Sequence, residues 1–289
     1  MTASLNPYIS QFGEEFDAEK SSQYRMAIQF ALGGLSYALL DTQSQTLIAL
    51  ECYQSDLLAD SDDLFRTLER ALEAKGLNNK PLHFVNCLID NRFCTFVPEA
   101  LFDEAEKATY LDFGFQRPEG YSIATKPLAK ASCVNVFAWP NALQAKVSSK
   151  WKNARVTHSS SVFVDGVMDS PTSTGVFVQV RNRDFDMAMK RDGKLLFFNN
   201  FKFVTKEDFA YFLLFAMEQN GLSGQDTTVS FSGLIRPASD IIDLCGRYVK
   251  DIRFVDGPRK IKVSKALEEV PFQYYFTLYQ ILGHETRDQ

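Results

Sequence analysis

Residues of the kinds that carry out chemistry are sparse and scattered in this chain. Its three histidines, His83, His158 and His284, stand apart from one another and from the cysteines, so no zinc-ligand spacing such as C-x-x-C or H-E-x-x-H occurs. His83 opens an apolar run and reads as a core or edge histidine. His158 precedes Ser159-Ser160-Ser161, but a Ser and His adjacent in sequence lack the geometry of a nucleophile and its base, and no acid partner is evident. That run is expected to cap a helix or form a loop. There is no G-x-S-x-G elbow, no P-loop and no G-x-G-x-x-G. Two-metal nuclease chemistry needs several converging carboxylates, one of them within the first strand. The runs Met26 to Leu32 and Val176 to Val180 contain none, and Asp90, alone at the end of another run, reads as a surface aspartate. Neither a catalytic residue nor a metal ligand is assigned.

Composition narrows the field further. The 289 residues are 45% hydrophobic and 23% charged, which fits a globular chain large enough for two domains. The formal net charge of -5 gives no field that would hold a polyanion, which argues against bulk nucleic-acid binding. Basic residues nevertheless gather between Arg247 and Lys265, a segment that could dock on an acidic partner or lipid headgroups. The 25 phenylalanines fall mostly in short apolar runs and are read as core. Cys52, Cys87, Cys94, Cys133 and Cys245 are odd in number and scattered, and four lie in apolar sequence, as buried thiols do. With no stretch of 18 apolar residues and no apolar leader, the expected location is the cytoplasm.

The elements that would position a site follow from the apolar pattern. Met26 to Leu32, Leu35 to Leu40 and Thr46 to Tyr53, separated by Gly33-Gly34 and a polar turn, read as a three-stranded meander. A helix follows, capped by Ser61, Asp62 and Asp63, carrying Leu64, Phe65, Leu68 and Leu72 inward and stopping at Gly76. Leu82 to Leu88 is then a buried strand. The series returns as Val176 to Val180, Phe185 to Met189 and Leu195 to Phe198. After it come a capping box at Thr205 and Asp208, an apolar helix and the strand Thr228 to Ser232. At an offset of about 145, Asp63 falls on Asp208, Leu68 on Leu213, Gly76 on Gly221 and Leu77 on Leu222. The chain is therefore read as an internal duplication. Its first half is 1–172, with extra elements at 93–170 that include a helix from Pro98 to about Tyr110. The second half is 173–289, with a helix near Ala238 to Val249 and a C-terminal helix at 272–282 that packs back on the first half.

This order resembles the ribonuclease H-like unit, and two in tandem resemble the actin and Hsp70 superfamily. Gly33-Gly34-Leu35-Ser36, Phe96-Val97-Pro98-Glu99-Ala100-Leu101-Phe102 and Gly193-Lys194-Leu195-Leu196-Phe197-Phe198-Asn199 look more specifically like an uncharacterised bacterial family with this duplicated fold. The resemblance, which extends distantly to actin-like proteins of pilus assembly and secretion, implies an α/β protein with mixed sheets and helices on both faces. It also implies a cleft between the two hairpins, at Gly33, Gly34, Arg181, Asn182, Arg183, Ser232 and Gly233. Actin-like ATPases hold Mg-ATP there through close backbone amides and an Asp that orders the hydrated metal. Where their first hairpin has Asp-x-Gly, this chain has Ala31-Leu32-Gly33. Where the second has Asp-x-Gly-Gly-Gly-Thr-Phe-Asp, this chain has Gln179-Val180-Arg181-Asn182-Arg183-Asp184-Phe185-Asp186. Only Phe185 and Asp186 are kept, and three glycines have gained side chains where phosphate must approach the backbone. The resulting expectation is a non-enzymatic binding or assembly protein with a protein partner, no cofactor and a degenerate nucleotide cleft. The alternative is a divergent nucleotide-binding ATPase or kinase-like enzyme, with Mg-ATP held by Arg181 and Arg183 in an open, positively lined cleft. A third reading makes the lobes a platform for a membrane-assembly partner, with Arg247 to Lys265 facing it.

Overall fold

Alternation of buried and half-buried residues along Tyr24–Ala31 and Gly34–Asp41 makes these two segments neighbours in a sheet that is covered on both faces. The computed structural model describes residues 5–31, 33–257 and 261–283. Leu32 and His284, named above, and Arg259 and Lys260 of the basic segment lie outside the described residues. The chain begins with β1 (Ile9–Phe12), β2 (Tyr24–Ala31), β3 (Gly34–Asp41), β4 (Thr46–Gln54), α1 (Ser61–Ala74) and β5 (Phe84–Asp90). An insertion supplies β6 (Cys94–Pro98), α2 (Lys107–Gly114), β7 (Tyr121–Leu128), β8 (Cys133–Pro140) and α3 (Asn141–Lys150), and the chain returns through β9 (Arg155–His158) and α4 (Ser159–Asp169). It continues with β10 (Gly175–Val180), β11 (Asp184–Arg191), β12 (Lys194–Lys202), α5 (Lys206–Gln219), β13 (Val229–Gly233), α6 (Asp240–Cys245), β14 (Ile252–Phe254), β15 (Lys262–Val263) and α7 (Phe276–Gly283).

Three sheets result. The first runs β1-β4-β3-β2-β5-β9, with β15 also paired to β4; the second runs β12-β11-β10-β13-β14; the insertion forms β6-β8-β7. In the first two, a meander pairs antiparallel, and its opening strand then pairs parallel with the strand after the helix, β2 with β5 and β10 with β13. Both helices that make these crossovers have 14 residues and begin about 145 positions apart. Each ends at a glycine of positive φ, Gly76 and Gly221, which closes the helix in the left-handed conformation that a Cβ disfavours.

Leu64, Phe65, Leu68 and Leu72 of α1 are buried, and Phe209, Leu213 and Met217 do the same for α5. The phenylalanines serve the core: Phe185 lies 4.2 Å from Phe209 and 5.4 Å from Phe201 between ring centroids, within one aromatic cluster beneath α5. All five cysteines are buried free thiols. α7 lies against β2 and α4, its Leu278 and Leu282 buried with Ala27, Ala38 and Leu40.

Some local expectations need correction. Asp60, rather than Ser61, caps α1, its carboxylate accepting from the amides of Asp62 and Asp63. The helix expected from Pro98 to Tyr110 is two short 3-10 turns followed by α2, because Asp103 accepts from the Ala105 amide and restarts the chain. α6 is shorter than 238–249, beginning after a Ser239 cap. The capping box of Thr205 and Asp208 is present.

Candidate functional site

The two hairpins converge through the strands beside them. In the first sheet Ala31, at the end of β2, stands opposite Asp90, at the end of β5. In the second, Val180 stands opposite Gly233 at the matching ends of β10 and β13. Arg181 then reaches from the mouth of the β10–β11 hairpin to Asp90 and joins the two sets.

That arginine is the centre of the site. Its side chain is only 17% exposed, and each of its three guanidinium nitrogens donates to a different carboxylate. Nε reaches Asp90 Oδ1 at 2.8 Å, Nη1 reaches Asp184 Oδ1 at 2.9 Å and Nη2 reaches Asp186 Oδ2 at 2.7 Å. Neutral donors complete the carboxylates' hydrogen bonding. Ser159 Oγ donates to Asp90 at 2.6 Å and Gln29 Nε2 donates to its other oxygen at 2.8 Å. Ser160 Oγ donates to Asp186 at 2.6 Å, and Asn200 Nδ2 bridges Asp184 and Asp186 at 3.0 and 2.9 Å. Thr277 of α7 in turn donates to Gln29 at 3.1 Å.

The electrostatics follow from burial and pairing. Burial alone would push the Asp186 carboxyl up, but the Arg181 charge and the bonds from Arg181, Ser160 and Asn200 outweigh it and hold it below the usual carboxylate range. Burial also opposes the charged form of Arg181, yet Asp186 and Asp90 keep it protonated well beyond its ordinary range. His158 caps α4 by accepting from the Ser160 amide at 3.2 Å, a role that needs an unprotonated Nδ1. Burial, only partly offset by Asp90 and Asp186, drives its pKa down to about 4. At neutral pH the cluster thus holds an ionised Asp186, the Arg181 guanidinium and a neutral imidazole.

α4 is clamped at both ends by β11. At its N-terminus Ser160 binds Asp186, and at its C-terminus the buried Lys190 Nζ donates to the carbonyls of Val167, Met168 and Ser170 at 3.3, 3.1 and 3.0 Å. Negative charge at a helix start and positive charge at its end both complement the peptide dipoles. Because α4 also packs on β5 and β9, it is the crosspiece between the two large sheets. Phe96 of the inserted sheet and Phe198 of β12 meet nearby, with ring centroids 4.3 Å apart.

The remaining cleft residues divide sharply. The Gly33 amide donates to Leu58 C=O and the Arg181 amide to Asp184 C=O, so neither is directed at a ligand. Ser232 is fully buried, its hydroxyl turned back on Gln179 and the Val178 carbonyl. Gly233 has φ of +85°, and a Cβ there would lie 2.1 Å from the Val180 carbonyl oxygen. The pair Ser232-Gly233 therefore answers to close strand packing. Gly34 has an ordinary φ and pairs with Ala31 inside the hairpin, while Asn182 and Arg183 are exposed. Arg181 is largely withdrawn from solvent, and Asp90 is no surface aspartate, its side chain being 6% exposed. Nothing local in the sequence marks Gln29, Asp184 or Asn200 as site residues, and Ser159 and Ser160 are expected there only to cap a helix or form a loop. The one available signal was Asp186, the acid retained at the end of the second hairpin pattern.

Two findings bear on other expectations. The basic segment is divided: Arg247 and Lys250 are exposed beside the second sheet, Arg253 pairs with Asp251 at 2.7 Å, and Lys262 lies on β15 against β4 of the first sheet. A cavity of about 1020 Å3 opens beside α4 and α7, against Phe163, Phe177, Phe254 and Tyr279, and none of its lining residues belongs to the ion cluster. Among the described residues no group of His, Cys, Asp and Glu side chains is placed to hold a metal, and no helix is long and apolar enough to cross a membrane.

Two large sheets of this strand order are those of the actin-like ATPase fold, and solved structures agree. A Bacteroides thetaiotaomicron protein with an actin-like ATPase fold and unknown function aligns over 93% of this chain and 99% of its own, with a TM-score of 0.78 and 16% identity. PilM, in a PilM-PilN type IV pilus biogenesis complex, aligns over 90% and 98%, with a TM-score of 0.59 and 12% identity. The ethanolamine utilization protein EutJ of Carboxydothermus hydrogenoformans aligns over 89% of both chains, with a TM-score of 0.50 and 10% identity. The chain belongs to DUF3822, a family of proteins of unknown function, whose model matches residues 13–252. No curated protein matches it.

Proposed function

We propose that this chain is a non-enzymatic actin-like binding or assembly protein whose nucleotide cleft is degenerate. The observation that carries the reading is the state of Arg181. In an actin-like ATPase this hairpin offers bare backbone amides to phosphate; here a side chain fills the space and spends every guanidinium nitrogen on a carboxylate. A phosphate entering the cluster would meet three acids with a single arginine between them, which is unfavourable for an anion. The divergent-ATPase alternative requires Arg181 to abandon all three partners before it can bind phosphate, which leaves to it the Arg183 exposed at the hairpin tip. No cofactor is proposed.

The duplication belongs to the same reading. Matching orders, β4-β3-β2-β5-β9 and β12-β11-β10-β13-β14, and equal crossover helices support descent of 1–172 and 173–289 from one ribonuclease H-like unit. A retained two-lobed scaffold without phosphate chemistry leaves surface recognition as its use. A protein partner is in keeping with PilM, which is seen in a complex with PilN. The exposed Arg247 and Lys250 remain the proposed docking face, and free buried cysteines support a cytoplasmic setting.

Calorimetric titration with Mg-ATP and Mg-ADP tests the proposal. No heat of binding is expected up to millimolar nucleotide. Micromolar affinity, or hydrolysis abolished by changing Gly33 or Gly233, would sink it.

A further inference from the structure

We propose that Arg181 is a tethered cation that keeps the two large sheets closed on each other, so that the chain stands permanently in one closed state. The inference rests on the reading of the cleft as free of nucleotide, and it adds how that cleft is held.

The geometry points to a cation rather than to ordinary packing. Asp90 comes from β5 of the first sheet, whereas Asp184 and Asp186 come from β11 of the second. Their charges face one another across the cleft, and the guanidinium is what stands between them. His158, which also interacts with Asp90 and Asp186, is neutral and serves as the cap of α4. Ser159 and Ser160 link Asp90 and Asp186 to one helix but bring no charge. Taking away the guanidinium would leave the buried Asp90 and Asp186 and the partly exposed Asp184 without a counter-charge, and mutual repulsion with the demand for hydration would drive the sheets apart. The planar fork is also specific. Three carboxylates in three directions match three nitrogens, a pattern that a single ammonium cannot span.

Closure can be read by the distance between spin labels on Leu57→Cys and Val204→Cys. Both positions are well exposed, at 62% and 92%. Leu57 flanks the first hairpin, where Leu58 C=O accepts from Gly33, and Val204 follows Phe203, whose amide donates to Arg183 of the second. The native cysteines are all buried, which directs labelling to the new ones.

Pulsed electron paramagnetic resonance of otherwise wild-type protein is expected to give one narrow distance that Mg-ATP does not move. Arg181→Ala, confirmed as folded by a cooperative unfolding transition, is expected to give a longer and broader distribution. Millimolar methylguanidinium, which can refill the vacated fork, is expected to restore the narrow distance, and tetramethylammonium at equal concentration is not. Arg181→Lys, which retains charge without the fork, is expected to fall between the two and serves should the alanine variant fail to fold. A wild-type distribution in a folded variant, or equal rescue by both cations, would overturn the proposal. These outcomes are separate from the nucleotide test: Mg-ATP binding to wild-type protein defeats the reading of the cleft, while a wild-type distance in folded Arg181→Ala, with no nucleotide bound by the wild type, defeats only the tethered-cation account.

Discussion

At the scale of single residues, His158 makes the cluster sensitive to acid. Its ordinary pKa is about 6.5, and burial lowers it to about 4 in the folded chain. Below pH 6.5 the unfolded chain therefore takes a proton that the native state refuses, and stability falls as pH falls. Between pH 7 and pH 5 the loss amounts to about 2 kcal/mol, by the relation of one pKa unit to about 1.4 kcal/mol. Asp186 acts in a lower window. Its depressed pKa gives stability that is present above the ordinary carboxylate value and lost as pH drops through the depressed one. Urea unfolding at the two pH values checks the first effect. His158→Asn, which keeps a capping acceptor without a titrating ring, is expected to remove most of the difference; an undiminished difference would place the effect elsewhere. None of this was legible in the sequence, where His158 was only a histidine beside serines. Arg181 is likewise visible as a residue in place of glycine, but its inward direction depends on Asp90, 91 positions away, and on a helix whose first residues read equally as a cap or a loop.

At the scale of elements, the hairpins and crossover helices were readable because their signals are local. Glycines and polar turns bound the strands, and capping residues and Gly76 or Gly221 bound the helices. α4 was not, since Ser159-Ser160-Ser161 followed by Val162-Phe163-Val164 carries serines and β-branched residues that do not favour a helix interior. It is helical because β5, β9, β11 and α7 surround it and because its two ends are satisfied by charges from β11. Gly33 and Gly233 were read together as cleft glycines, and the structure separates them. Both have positive φ, but the nearest atom to a Cβ at Gly33 is 3.7 Å away, whereas at Gly233 the backbone of Val180 is within 2.1 Å. Gly33→Ala is expected to cost about 1 kcal/mol from the strained φ alone. Gly233→Ala adds overpacking against backbone and is expected to cost about 3 kcal/mol or more. Denaturant melts of the two variants give the ordering, and equal losses would show that close strand packing does not explain Gly233.

At the scale of the whole molecule, the fold and the site pull in different directions. The fold is the actin-like ATPase fold, and the chain aligns along nearly its full length with a protein of that fold and unknown function. The proposed cleft holds an arginine, three aspartates and two serine hydroxyls, bonded to one another. The most direct test is a crystal structure of the full chain grown with a non-hydrolysable Mg-ATP analogue in excess. The account predicts no density between Gly33, Arg181 and Gly233, with Arg181 still on Asp90, Asp184 and Asp186. Phosphate density in that space, with Arg181 swung away from the aspartates, would contradict it.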